Sequence, residues 1–272
     1  MSTAEPAPAA PEPPARPKIA NAALSVVLVA DGAAPTEEIV SRWLTYLESL
    51  QREHELLLVT PAAVAERPNL RVLPPEKPGF GAALRVGIAA ARHPLLAYAP
   101  ADERYPPAEL AKLLAIIDDV DLASGYRAGR PMPTLYRVTG FFWRCLLRIL
   151  LGLRPEPSWG WLGGKVVAYQ KLIRGLFGVR AHDVDSPFRL FRRAVFERIP
   201  IQSDSSFVHA EILAKMNFLG YIKDDYYGFS MQEAPIAVPA SWEHDPQRWA
   251  DLRRVFNDPA FAPAPAPKAA EG

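Results

Sequence analysis

LSVVLVA, residues 24–30, is apolar and β-branched almost without interruption. A run of this length with no alternation reads as a strand covered on both faces, which is the pattern of a parallel sheet. Residues 36–53 follow with Ile39, Val40, Trp43, Leu44, Leu47 and Leu50 at helical spacing. ELLLVT (55–60) and LRVL (70–73) are the next strands, GFGAALRVGIAAAR (79–92) is a helix of small apolar residues, and LLAYA (95–99) is a fourth strand. A helix over 107–119 opens with Pro107 in its first turn, where the missing N–H does no harm. VDLAS (120–124) is a fifth strand. This alternation predicts an α/β fold with a doubly wound, mainly parallel sheet flanked by helices. Ligands in such sheets bind beyond the carboxyl ends of the strands, so chemistry is expected just after Ala30, Thr60 and Ala99.

Beyond Arg127 the texture changes. An apolar helical segment over 133–178 precedes the last sheet elements. Its two halves, 134–153 (TLYRVTGFFWRCLLRILLGL) and 161–177, are interspersed with Arg137, Arg144, Arg148, Lys165, Lys171 and Arg174. Two such helices cannot both be buried all round in a domain of this size. Part of their surface is expected on a bilayer interface with the cations meeting headgroups, or else as a hairpin packed on the sheet or on a second copy of the chain. DVDSPFRLF (183–191) is extended, 192–199 a short helix, 207–219 an amphipathic helix, and 221–239 strand and loop. The ends, 1–20 and 259–272, are rich in Ala and Pro and are expected to be disordered tails around one domain over 21–258.

The composition excludes several classes. A formal net charge of +1 gives no electrostatic footprint for nucleic acid. A single cysteine, Cys145, excludes an internal disulfide framework and a cysteine-based zinc site. The five histidines show no ligand spacing. No stretch resembles a signal peptide or reaches the roughly 18 apolar residues of a membrane span. A cytoplasmic location, free or peripheral on the inner membrane face, is expected.

Five segments carry a resemblance: LSVVLVA (24–30), KPGFGAALRVGIAAA (77–91), YAPADERYPPAEL (98–110), Gly125-Tyr126-Arg127 and, most specifically, DVDSPFRLFRRAVFERI (183–199). In their order they resemble family 2 glycosyltransferases of the GT-A fold, in particular the dolichyl- and polyprenyl-phosphate sugar synthases. The resemblance implies transfer of a sugar from a nucleotide-diphosphate sugar to a lipid-phosphate or similar acceptor. It places Ala30, Asp31, Thr60, Gly81 and Asp102 at nucleotide-binding positions, and Asp102, Arg104 and Arg189 at catalytic ones.

Three departures accompany it. Asp31-Gly32-Ala33-Ala34 stands where the family has an Asn-Glu loop, and Thr60-Pro61-Ala62-Ala63 where it has an acid for the nucleobase. Pro100, Asp102 and Arg104 occupy the places of an Asp-x-Asp and a following Gln. The implied Mg²⁺ or Mn²⁺ keeps one ligand, Asp102, and meets a cation at Arg104. A fixed guanidinium there offsets the charge of a leaving diphosphate in place of the ion. A lipid phosphate is mostly dianionic at neutral pH, with a second pKa of about 6, and needs cations, not a base. Arg127, Arg137 and Arg189 match such positions, with pairing to Asp185 as the other role for Arg189. The alternative function is a catalytically degenerate relative that keeps the fold to bind a partner.

Overall fold

The computed structural model describes residues 17–30, 35–65, 67–128, 141–142, 145–146, 148–149, 163–221, 230–238 and 245–263. Seven strands form one sheet: β1 (Leu24–Val29), β2 (His54–Val59), β3 (Leu70–Leu73), β4 (Leu95–Pro100), β5 (Leu122–Arg127), β6 (Arg189–Arg192) and β7 (Met231–Ile236). Their spatial order is β3-β2-β1-β4-β6-β5-β7. β3, β2, β1 and β4 pair in parallel, as do β5 and β7, whereas β6 runs antiparallel to both β4 and β5. Every residue of β1 is buried, as the unbroken apolar run predicts.

Helices cover both faces. α1 (Glu37–Ser49) is capped by the Thr36 hydroxyl, which accepts the Ile39 N–H, and carries Glu37 and Glu38 in its first turn, where the helix dipole favours acids. It buries Ile39, Val40, Trp43, Leu44 and Leu47 on one face of the sheet, beside the short α3 (Leu110–Leu114). The other face is covered by α2 (Phe80–Ala90), α4 (Gly163–Phe177), α6 (Val208–Tyr221) and α7 (Arg248–Asn257). The helix expected over 107–119 is a 3₁₀ turn at Pro107–Glu109 leading into α3, and α5 (Val195–Arg198) is a single turn.

Several expectations shift. α6 is not amphipathic over most of its length: it is buried through Met216, including His209, Glu211 and Lys215. Its polar groups are satisfied internally, so they need no solvent. Lys215 Nζ donates to Glu211 Oε1 at 2.7 Å and to the Pro200 carbonyl at 2.6 Å, and Glu211 accepts the N–H groups of Gln202 and Ser203, both at 2.8 Å. The ordered body is also wider than 21–258. Ile19 and Ala20 donate their N–H groups to Asp118, Arg192 donates to the Pro17 carbonyl, Ala262 N–H donates to the Arg198 carbonyl, and Phe261 stacks on Phe218. Of 134–153, only residues 141, 142, 145, 146, 148 and 149 are described, and they are helical; Arg137 lies outside the described residues.

The start of α2 shows why glycine is needed there. Gly79 has φ +113°, and a Cβ on it would lie 2.3 Å from the Asp204 carbonyl oxygen. A Cβ on Gly81 would lie 2.3 Å from the Ser203 carbonyl oxygen. Both collisions are with backbone, which cannot swing aside. Gly81→Ala is therefore expected to lower stability by about 1–3 kcal/mol in urea unfolding. Gly175→Ala on α4, where a Cβ meets nothing within 4 Å, should be neutral or stabilising. Equal costs at the two positions would refute the steric account.

Candidate active site

A cleft of about 540 Å³ opens at one edge of the sheet. The strand directions create it. β1, β4 and β5 deliver their carboxyl ends to this edge, and antiparallel β6 delivers the segment that leads into it. Thus Val29 and Ala30, the turn from Pro100 to Tyr105, Arg127, and Asp185 with Pro187 all line one cavity. Ser206 and His209 close it from the start of α6, and Arg248 from α7.

The sequence expectations divide accordingly. Ala30, Asp102, Arg104 and Arg127 come together on the cleft wall. Thr60 ends β2 at the same edge but does not line the cleft; its hydroxyl accepts the Ala62 N–H at 3.2 Å. Gly81 is also absent from the wall, because its N–H is spent on the Asp204 carbonyl at 2.9 Å. Arg189 is fully buried away from the cavity. It donates to Ser124 Oγ at 3.2 Å, the His209 carbonyl at 2.6 Å and the Val184 carbonyl at 3.0 Å. It does not pair with Asp185, which Arg248 takes instead. A solvent-facing grip on phosphate is thereby replaced by an internal clamp. Asp31 lies outside the described residues, as does Arg137.

Asp102 and Arg104 form a closed pair in the turn after β4. Asp102 Oδ1 accepts the Arg104 N–H at 2.8 Å, and Oδ2 accepts from Arg104 Nε at 2.8 Å and from Nη2. Burial raises the Asp102 pKa, but the Arg104 hydrogen bonds and charge outweigh it and hold the carboxyl below its usual range. This donor set does not fit a divalent ion. Asp102 Oδ2 already faces the Arg104 guanidinium and Oδ1 the Arg104 backbone N–H, Pro100 offers no side-chain ligand, and among the described residues no three His, Cys, Asp or Glu side chains converge to hold a metal.

The cleft floor rests on buried charges, of which sequence reasoning singled out Arg127 but not its partner Asp183. Arg127 Nε and Nη2 grip Asp183 at 2.6 and 2.9 Å in a two-pronged pair with both side chains buried. Burial pushes the Asp183 pKa up, the Arg127 charge and hydrogen bonds pull it down harder, and the net shift is downward. His209 accepts or donates at Nδ1 to the Tyr98 hydroxyl at 3.1 Å. Burial, with Arg189, Arg248 and Arg127 nearby, drives its pKa well below the ordinary value, so it is neutral. Burial likewise pushes the Tyr98 phenol up to about 12. Asp183 stood within the quoted DVDSPFRLF segment. For Ser206, His209 and Arg248 no sequence signal existed, because their meaning comes from partners dozens of residues away.

The family model described as Glycosyl transferase family 2 matches residues 24–200. A dolichyl-phosphate hexose transferase of Haloferax volcanii is 25% identical over 159 residues, 58% of this chain and 59% of that protein. A protein of Mycobacterium tuberculosis named only as a glycosyltransferase is 29% identical over 161 residues, 59% of this chain and 63% of its own length. The match thus spans less than two thirds of either relative. The crystal structure of glucosyl-3-phosphoglycerate synthase from Mycobacterium tuberculosis, in complex with Mn²⁺, uridine-diphosphate-glucose and phosphoglyceric acid, covers 89% of this chain and 82% of its own at TM-score 0.54 and 18% identity. At that identity the likeness is one of fold.

The Arg127–Asp183 pair makes a signed prediction. Arg127→Met leaves a buried carboxylate alone and is expected to cost about 3–5 kcal/mol. In the wild type Asp183 is held low, so its contribution is present above the ordinary carboxylate pKa and is lost as pH falls through its depressed value. In the variant burial acts unopposed by Arg127 and raises that pKa, so stability should instead improve as pH drops from neutral. Adding Asp183→Asn should remove this pH dependence. Thermal unfolding across pH reads all three; a variant that loses stability on acidification as the wild type does would refute the pairing.

Proposed function

The chain belongs to glycosyl transferase family 2, and from that premise we propose that it transfers a hexose from a nucleotide-diphosphate sugar to a phosphate-bearing lipid or a similar anionic acceptor. The bond from the sugar's anomeric carbon to the diphosphate oxygen breaks, and a bond from that carbon to an acceptor oxygen forms. The leaving diphosphate gains negative charge, and an already ionised acceptor phosphate has no proton to lose. The observation that carries this reading is the Arg104 guanidinium, oriented by Asp102 on the cleft wall after β4. It supplies a positive charge at the cleft, whereas the crystallised glucosyl-3-phosphoglycerate synthase is named as a complex with Mn²⁺ and a uridine-diphosphate sugar. The dolichyl-phosphate relative supports a lipid-phosphate acceptor, and Arg127, paired with Asp183, also lines the cleft.

Transfer should therefore persist in EDTA and fall about tenfold or more in Arg104→Ala. Loss of the wild-type rate in EDTA would restore a metal mechanism, and a rate that survives both EDTA and Arg104→Ala would remove Arg104 from it. The binding half is read by melting temperature. A nucleotide sugar at 100 times its dissociation constant should add about 2.7 kcal/mol. No shift with any nucleotide sugar, with or without Mn²⁺, would favour the degenerate reading. The acid-free turn after Thr60, whose hydroxyl is satisfied within the turn, gives that reading its one specific support.

Peripheral membrane contact belongs to the same proposal. Residues 128–182 carry nine Lys and Arg against one acid, Glu156. The described helical residues there present Phe141, Phe142 and Ile149 at 56%, 68% and 80% exposure. No described helix is long and apolar enough to cross a membrane. Basic residues near an anionic surface contribute about 1 kcal/mol each, and exposed aromatics add burial at the headgroup boundary. The protein should float with phosphatidylserine vesicles at low salt, and replacing Phe141, Phe142 and Ile149 by Ser should abolish flotation without lowering the melting temperature. A monodisperse oligomer that ignores vesicles would instead assign this segment to self-association.

A further inference from the structure

Arg248 lies on α7, beyond the residues that the family model matches, yet it reaches the cleft floor. Its Nη1 donates to Asp185 Oδ2 at 3.0 Å. Nε and Nη2 donate to Ser206 Oγ at 3.1 and 2.8 Å, and the guanidinium carbon lies 5.0 Å from the centre of the Tyr169 ring. Both charged side chains are at least nine-tenths buried, so neither has room to swing away.

The other oxygen of the same carboxylate is anomalous. Asp185 Oδ1 is buried and accepts no hydrogen bond among the described residues, although Asp185 lines the cavity. A buried acceptor without a donor costs about 1–3 kcal/mol, and such atoms are rare in folded proteins. The cost is removed when a ligand brings the donor. A phosphate dianion brings no proton and would be repelled by this oxygen; a hydroxyl fits it. We infer that Arg248 is a positioning residue: it holds Asp185 by Oδ2 and keeps Oδ1 turned to the cleft, where it accepts a hydrogen bond from a hydroxyl of the bound sugar.

The groups that act on Asp185 come from several elements. Burial raises its pKa above the ordinary value; Arg248 from α7 and Arg127 from β5 oppose this, and Asp183 on its own segment adds to it. Tyr169 from α4 and Tyr98 from β4 face it as neutral phenols, and His209 from α6 stands close by, neutral as well. Arg248 is the one cation among them bonded to Asp185 itself. Its loss leaves the carboxyl protonated to higher pH, and a protonated carboxyl bound by its own O–H can turn either oxygen inward.

The inference rests on the sugar-transfer reading for the identity of the hydroxyl, not for the pair. Its test therefore has two readouts on the full chain. Asp residues labelled with ¹³C at the carboxyl carbon are titrated by NMR in the wild type, Arg248→Lys and Arg248→Met, with Asp185→Asn assigning the signal. The Asp185 midpoint should rise by about one pH unit or more in Arg248→Met, a tenfold change in the ionisation equilibrium, and return most of the way in Arg248→Lys. Hexose transfer from a nucleotide sugar should show its acidic limb moving up with that midpoint, as a loss of up to about tenfold on the acid side of the wild-type midpoint that recovers as pH rises and is largely rescued by Lys. A folded Arg248→Met with an unshifted Asp185 midpoint overturns the positioning, and so does a shifted midpoint with an unchanged rate profile. A wild type with no measurable transfer removes the transfer reading alone, and the titration then decides whether Arg248 holds Asp185.

Discussion

A guanidinium with no exposed surface sits where three parts of the fold meet. Arg189 opens β6, and its donors reach Ser124 on β5, the carbonyl of His209 on α6 and the Val184 carbonyl just before its own strand. Removing such a group from water costs several kcal/mol, which only a full set of acceptors can offset. The acceptors it takes are the ones that fix the cleft. Through Ser124 it sets β6 against β5, through Val184 it sets the turn that carries Asp183 and Asp185, and through His209 it sets the start of α6. Its neighbour across β4 is Tyr98, paired in register with Arg189 and bonded by its hydroxyl to His209.

That junction explains why the site is mixed in strand direction. A purely parallel sheet would bring only carboxyl ends to the edge. The antiparallel β6 lies between β4 and β5, and so it places acidic residues that precede a strand beside residues that follow one. Asp185 and Asp102 line one cavity for this reason, although 83 positions separate their numbers in the chain. The loop from Ser203 to Ser206 is fixed against the same edge by Asp251, which accepts the N–H groups of Asp204 and Ser205, and by Asp245, which accepts from Ser206. The floor of the cleft is thus assembled from short polar segments whose backbone donors are consumed by carboxylates from the C-terminal part of the chain.

Much of this architecture was legible because it depends on local pattern. LSVVLVA, ELLLVT and LLAYA are strands for reasons contained within a few residues, and α1 follows from apolar spacing and a Thr cap. The DVDSPFRLF segment carries three buried charges, and their partners lie outside any local pattern. Arg189 is an internal clamp, Asp185 answers to Arg248, and Asp183 answers to Arg127. Residue type and spacing identify a charge; they do not say which opposite charge it meets 56 or 63 positions away. α6 was misread for the same reason. Glu211 and Lys215 look like a solvated face until the Pro200–Ser203 backbone is seen to satisfy them.

The two walls of the cleft differ in stiffness, and the difference bears on how the site handles charge. Arg127–Asp183 and Arg248–Asp185 are buried pairs whose rupture would strand a charge, so they behave as fixed structure. Asp102–Arg104 has side chains about a third exposed, at 30% and 43%, and an exposed pair of this kind contributes only about 0–1 kcal/mol. A diphosphate entering the cleft can therefore compete for the Arg104 guanidinium at little cost, with the Asp102 carboxylate still bonded to the Arg104 backbone N–H. A divalent ion faces the opposite balance at Asp102, since it must displace the Arg104 guanidinium from Oδ2 before it can bind there. The Asp102–Arg104 turn is thus a compliant ion pair beside a rigid floor.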